Sequence, residues 1–307
     1  MRVAEGNERR KKLLYLSSLI VLAVMLGILL AACTGKNQAA SPTEETPSSS
    51  SIKGEETAAE WLEKARTAAA GMSKYGFELQ MSQKIDGDQQ TNSGAGSEVV
   101  EIDMQGRAER NPLKLDQTIN SKIDGEVSTL RAIVMPDEYY MYLPEFEEWN
   151  KLGKGVAAEN VAILSDFQIN PEKAIQDIKM LGTALTVSTN EATAIVRYEG
   201  TGQEAVDFVA GLLESTLGLS GAETEVKSSL EVQALKVILI LDAEKHWPLS
   251  YRIESDLKIE LEPGKQTAIQ QTLAGNYSKH NVSSAVTVPK EALDAIDPDE
   301  MDEQLGP

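Results

Sequence analysis

Two histidines, one cysteine and 48 carboxylates are the side chains from which chemistry could be built in this 307-residue chain. His246 falls in the polar run Ala243-Glu244-Lys245-His246, just before Trp247-Pro248, and His280 closes a strand pattern in Ser278-Lys279-His280-Asn281. Each reads as a solvated turn residue, because no His/Cys cluster with zinc-ligand spacing accompanies it. Gly218-Leu219-Ser220-Gly221 is one position short of the G-x-S-x-G turn that exposes a nucleophilic serine. Gly153-Lys154-Gly155 lacks the remainder of a phosphate-binding loop. Glu101 with Asp103, and Glu254 with Asp256, sit at alternate positions on wet strand faces, where carboxylates are simply hydrated. The tail Asp297, Asp299, Glu300, Asp302, Glu303 opens like a calcium loop. Met301 then takes a ligand position, and neither the turn glycine nor the closing glutamate follows. The two N-x-S spellings at Asn276 and Asn281 read as chance. The expectation is a chain with no catalytic residue, no metal site and no cofactor, hence not an enzyme.

Cys33 is the exception. Arg2, Arg9, Arg10, Lys11 and Lys12 form a positive start, Leu13 to Ala32 carries no charge, and the stretch closes on Leu30-Ala31-Ala32-Cys33. Small residues before a cut suit the narrow pocket of a signal peptidase. A cysteine directly after them resembles a lipobox, in which the thiol takes a diacylglyceryl group before cleavage. The stretch is also long enough for an uncleaved membrane helix, and the placement of the single cysteine favours lipidation. Residues 1–32 are thus expected to be a lipoprotein signal peptide. The mature chain is expected to be lipid-anchored to the cell membrane on its extracytoplasmic face.

Removing residues 1–32 takes away five basic and two acidic side chains and leaves a net charge of −22. A surface of that sign repels nucleic acid and anionic headgroups. With Cys33 acylated no thiol is left for a disulfide, so stability must come from the core. Residues 33–54 hold the lipidated cysteine and a Ser/Thr/Pro/Glu-rich tether that cannot bury enough apolar area to fold. As a coil it spans about 25 Å. One domain is expected over residues 55–296, followed by an acidic disordered tail over 297–307.

The elements of that domain follow from periodicity. Ala58, Trp61, Leu62, Ala65, Ala68, Ala69 and Met72 make a helical stripe. The period then drops to two: Tyr75, Phe77, Leu79, Met81 and Ile85 alternate with polar residues, and so do Val100 to Ala108 and Leu113 to Ile123, while Val127 to Met135 and Glu138 to Leu143 continue as strands around the Pro136-Asp137 turn. Later strands are expected over Ala192 to Tyr198, Val226 to Leu241, Leu249 to Leu261 and Thr267 to Tyr277. One wet face and one dry face mark an antiparallel sheet. Helices are expected at Pro171 to Leu181, with Asn170 as cap, and at Gln203 to Leu217. The apolar stripe of the latter, through Val206, Phe208, Val209, Leu212 and Leu213, is wider than one sheet face requires. Three helices are few for about nine strands, so the economical α+β arrangement is a strongly curved antiparallel sheet, a half-barrel wrapped around its helices.

Three segments carry a family likeness: Glu138-Tyr139-Tyr140-Met141-Tyr142-Leu143 leading to Trp149-Asn150-Lys151, Leu239-Ile240-Leu241-Asp242 leading to Trp247-Pro248-Leu249, and the long strand after it. Their order resembles the LolA/LppX-like bacterial lipoproteins, closest to Gram-positive members. The resemblance implies a half-barrel that holds a lipid or other acylated ligand, and no catalysis. On this reading Val206, Phe208, Val209, Leu212 and Leu213 line an apolar hollow between sheet and helices. The other reading fills that hollow with side chains and makes the protein a non-enzymatic envelope interaction or sensor module. Tyr139, Tyr140, Tyr142 and Trp149 then form an exposed docking patch for an envelope protein. Expected partners are the membrane through the lipid anchor, a lipid ligand or an envelope protein, and no nucleic acid.

Overall fold

The computed structural model of the chain describes residues 56–86, 97–216, 228–262 and 264–296. The signal peptide, Cys33, the tether and the acidic tail expected from the sequence lie outside the described residues.

Helix α1 (Ala58–Ala70) starts at a capping box. The Thr57 hydroxyl accepts from the Glu60 amide at 3.3 Å, and the Glu60 carboxylate accepts from the Thr57 amide at 2.7 Å. Both orphan donors of the helix start are thereby satisfied. Trp61, Leu62, Ala65 and Ala69 form its buried face, as the stripe requires.

The strands are β1 (Lys74–Asp86), β2 (Ser97–Glu109), β3 (Lys114–Ile123), β4 (Glu126–Met135), β5 (Glu138–Leu143), β6 (Glu148–Lys151), β7 (Thr186–Thr189), β8 (Thr193–Gly200), β9 (Glu231–Asp242), β10 (Pro248–Glu262) and β11 (Lys265–Ser278). They form one antiparallel sheet in the order β6-β5-β4-β3-β2-β1-β11-β10-β9-β8-β7. This is two meanders, β1 to β6 and β7 to β11, joined where β1 pairs with β11 from Gly76↔Ser278 to Asp86↔Ala268. Between β6 and β7 run α2 (Lys154–Ala162), α3 (Asp166–Ile169) and α4 (Pro171–Lys179), and α5 (Gln203–Thr216) runs between β8 and β9.

Helices and sheet meet in one main core. It takes Tyr75, Phe77, Leu79 and Met81 from β1, Leu273 and Tyr277 from β11, and Ile253 and Leu257 from β10. From the helices come Leu62, Ile175, Ile178, Val209 and Leu213. Two tyrosines pin α3 over the sheet: the Tyr75 hydroxyl donates to the Gln168 carbonyl at 3.0 Å and the Tyr277 hydroxyl to the Phe167 carbonyl at 2.6 Å. Such bonds satisfy hydroxyls that burial would otherwise make costly.

The expectation of a strongly curved LolA/LppX-like half-barrel is overturned. The sheet has eleven strands and stays open, with β6 and β7 as its two ends, and it is not strongly curled. Both end strands escaped the sequence reading because they hold four residues each, too few to display a period of two. Helix α2 escaped for a related reason: it buries only Asn160 and so carries no apolar stripe. What stands is the α+β class with a large antiparallel sheet. Among the described residues, no helix is long and apolar enough to cross a membrane.

A second, smaller core lies against β4 to β6. It joins Ile133 and Tyr140 to Val286 and Ala292, with Met135, Trp149 and Val288 packed around them. The chain after β11, including α6 (Lys290–Leu293), therefore straps this part of the sheet.

Candidate functional site

The hollow that was expected to hold a lipid is not formed. Ala205, Phe208, Val209, Leu212 and Leu213 are members of the main core, and Val206 packs half-buried against it. The wide stripe of α5 is accounted for by close packing onto the sheet, which leaves its side chains no hollow to line. A lipid-carrying role through those residues is accordingly withdrawn.

The two histidines are not simply solvated. The His246 ring stands 5.1 Å from that of Trp61, and His280 stacks on Trp247 at 4.7 Å with an interplanar angle of 15°. A ring nitrogen of His280 bonds the Pro248 carbonyl at 2.9 Å. Asp242 orders the same turn by accepting from the amides of Glu244 and Lys245. These groups fix the β9–β10 turn against α1 and the end of β11. Among the described residues, no group of three or more His, Cys, Asp or Glu side chains could hold a metal ion.

The four aromatics expected as a docking patch are split by the pleat of β5. Tyr139 is 5 % exposed and sits in the main core, and Tyr140 is 2 % exposed and sits in the small core beneath the C-terminal strap. Neither is available to a partner, so the patch as expected is corrected. Its remainder is a smaller surface on the reverse side of the same hairpin. Tyr142 and Trp149 are cross-strand partners on β5 and β6, both half-buried, with ring centroids 5.3 Å apart and tilted by 42°. The Arg131 guanidinium lies over the Trp149 ring, 5.6 Å from its centroid, close enough for a cation–π contact.

Arg131 is itself held. Its Nε and Nη2 donate to the two oxygens of Asp116 at 2.9 and 3.1 Å. Asp116 also accepts from Arg107 Nη2 at 2.8 Å, and Arg107 Nη1 reaches the Ser284 hydroxyl on the strap at 2.7 Å. The Val286 amide donates to Glu109 at 2.6 Å. A connected path thus runs from the strap through Arg107, Asp116 and Arg131 to the half-buried aromatic pair. Bidentate Arg–carboxylate contacts fix geometry as well as energy, so the Tyr142–Trp149 surface is presented by a rigid support. Two residues along on the same face, Lys151 pairs with Glu138 at 2.9 Å and lies over the Tyr140 ring.

The turn that joins β5 to β6 adds a residue that sequence reading passed over. Phe146 is 43 % exposed, between Glu145 and Glu147. Its amide donates to the Leu143 carbonyl at 3.1 Å, and the Glu147 amide to Pro144 at 3.2 Å. The signal was one phenylalanine inside Pro144-Glu145-Phe146-Glu147-Glu148, where no core period asks for an aromatic. Chemically, the hairpin offers stacking surface, one guanidinium and several carboxylates. Groups of these kinds take part in recognition at protein surfaces.

A family model described as "Family of unknown function (DUF6612)" matches residues 57–297. No curated protein matches the chain. Among solved structures, a DUF1329 family protein from Desulfovibrio piger is 7% identical, with 74% of this chain and 94% of that chain covered and a TM-score of 0.23. The ywiB protein from Bacillus subtilis is 11% identical, with 66% and 94% covered and a TM-score of 0.17. A beta-barrel-like protein of the domain of unknown function DUF1849 from Brucella abortus is also 11% identical, with 66% and 98% covered and a TM-score of 0.18. At such TM-scores these likenesses say nothing about what the chain does.

Proposed function

The chain belongs to the DUF6612 family, a family of unknown function, and we propose that it is an envelope docking module: a non-enzymatic protein, lipid-anchored outside the cytoplasm through Cys33, that engages a protein partner with its β5–β6 hairpin. The observation that carries this reading is the braced Tyr142–Trp149 pair, half-buried and fixed by Arg131 and Asp116 on the side of the sheet away from the main core. Aromatic side chains and arginine are the residue types in which binding hot spots are enriched, and hot spots work best when their free-state geometry is already set. The anchor reading is supported by the sequence before Thr57, where the positive start, the uncharged stretch and Leu30-Ala31-Ala32-Cys33 follow in lipobox order.

In-cell photo-crosslinking tests the proposal. A photoreactive residue in place of Trp149 is expected to yield one discrete protein adduct in the organism's own cells. The same residue in place of Met180, exposed on the end of α4, is expected to yield none. The same adduct from both positions, or none from Trp149, overturns the reading. Metabolic labelling with an acyl probe checks the anchor, since Cys33→Ala is expected to abolish incorporation.

A further inference from the structure

The hairpin tip is one part of a larger surface at one end of the sheet. Because the strands alternate in direction, the β5–β6 turn, the β3–β4 turn at Asp124-Gly125 and the start of β2 all fall at the same end. Three of the large apolar side chains left exposed in the molecule are there: Phe146 at 43 %, Val127 at 67 % and Val99 at 41 %. They are spread along that end from β2 to the β5–β6 turn, and exposed apolar side chains that share one part of a surface point to a contact site more than a lone one does.

Their surroundings are of one sign. Glu98, Asp124, Glu126, Glu145, Glu147 and Glu148 occupy the same turns and strand starts. None of the six takes part in an ion pair among the described residues. The nearest cation along β3, Lys122, is already paired with Glu101 at 2.9 Å. Desolvation pushes the Glu98 carboxyl up, and the neighbouring Asp124 carboxylate pushes it further. Elsewhere the acids are more often matched, as at Glu63 with Arg66 and Lys179, or Glu172 with Arg66 and Arg110. Apolar side chains amid unneutralised carboxylates are complementary to a partner with apolar side chains amid basic ones, and like-charged partners are repelled.

We propose that this end of the sheet docks a basic amphipathic polypeptide segment, with Phe146 seated among the partner's apolar side chains and the surrounding carboxylates facing its lysines and arginines. This rests on the docking reading of the hairpin and adds the chemistry of the partner.

The test uses the full lipidated chain in nanodiscs of neutral lipid and two synthetic fluorescent peptides: one alternating leucine and lysine, and an oligolysine of equal charge. Anisotropy is expected to show the leucine–lysine peptide binding, weakened about tenfold or more by Phe146→Ala and by the triple variant E145Q/E147Q/E148Q. Val127→Ser is expected to weaken it in the same direction. The control E191Q/E199Q/E244Q removes three exposed carboxylates elsewhere and is expected to change binding by less than about twofold. Equal losses in the two triple variants, or oligolysine binding as tightly and indifferent to Phe146, reduce the effect to bulk charge and overturn the proposal. A Trp149 crosslink that persists in such a case leaves the docking reading standing without this partner chemistry, so the two failures are distinguishable.

Discussion

Tyr139 and Tyr140 are consecutive on β5 and are buried in different cores: Tyr139 in the main core beneath the helices, Tyr140 in the small core beneath the C-terminal strap. A strand turns successive side chains to opposite faces, so a sheet covered on both sides buries both. On the reverse side, the buried apolar cluster among the described residues lies beneath the strap. The hairpin root is therefore clamped from two sides, with Tyr142 and Trp149 half-buried and Phe146 exposed at the turn. That combination braces an end strand of four residues from both faces.

The clamp predicts what happens when the strap is loosened. Val286→Asp places a charge against Ile133 and Tyr140, which is costly without a partner. Limited proteolysis is expected to cut the chain between Ser283 and Ile296 far faster in the variant, while near-ultraviolet dichroism from the main-core tyrosines is retained. Equal cutting rates would mean that the strap is held by something other than the small core.

Asp116 joins two arginines across three strands. Asp116→Asn keeps the shape and removes the charge, leaving Arg107 and Arg131 to face each other. The expected cost is about 1–3 kcal/mol, in the range for hydrogen bonds to charged groups. Chemical denaturation measures it. Trp149 fluorescence should also shift, because Arg131 loses the anchor that holds it over the indole. A variant as stable as the parent, with unchanged emission, would show that the path from strap to hairpin carries no coupling.

Acid stability is set in part where α1 meets α4. Hydrogen bonds from Arg66 and from Lys179 hold the Glu63 carboxyl down to about 2. The folded value is depressed, so the contribution is present above the unfolded value near 4.5 and is lost as pH falls from there toward about 2. Glu63→Gln is expected to flatten the loss of thermal stability across that window without altering the slope near neutrality. A variant with the parent's full acid sensitivity would place the relevant carboxylates elsewhere.

Gly106 marks a point where the sheet is tight. A Cβ at that position would fall against the Asp116 carbonyl and the Gln117 backbone, so neither neighbour can yield by rotating a side chain. Gly106→Ala is expected to destabilise by about 2 kcal/mol or more, the scale of strain forced into a packed interior. Thermal unfolding of the two proteins compares them directly.

The long elements were legible in the sequence, because α1, β1 to β3 and β9 to β11 each display their period over ten residues or more. The architecture was not. Whether a sheet closes or opens depends on how many strands extend it and where they pair, and β6 and β7 are too short to announce themselves. The resemblance implies a curvature that the open sheet does not have. At the hairpin, an alternating apolar pattern says which residues share a face and cannot say whether the other face is also covered. The segment that buries Tyr140 lies about 150 residues downstream, beyond the reach of any local pattern. Phe146 was passed over because an aromatic in a turn belongs to no period.

The most direct test of the docking claim is hydrogen–deuterium exchange of the full chain in the native membranes of its own organism, compared with the purified full chain. The account predicts slower exchange in the native membranes at residues 138–151 and at the turns that share their end of the sheet, with the β9–β10 turn unchanged. Identical exchange in the two preparations, or protection centred on the β9–β10 turn and α1, would contradict it.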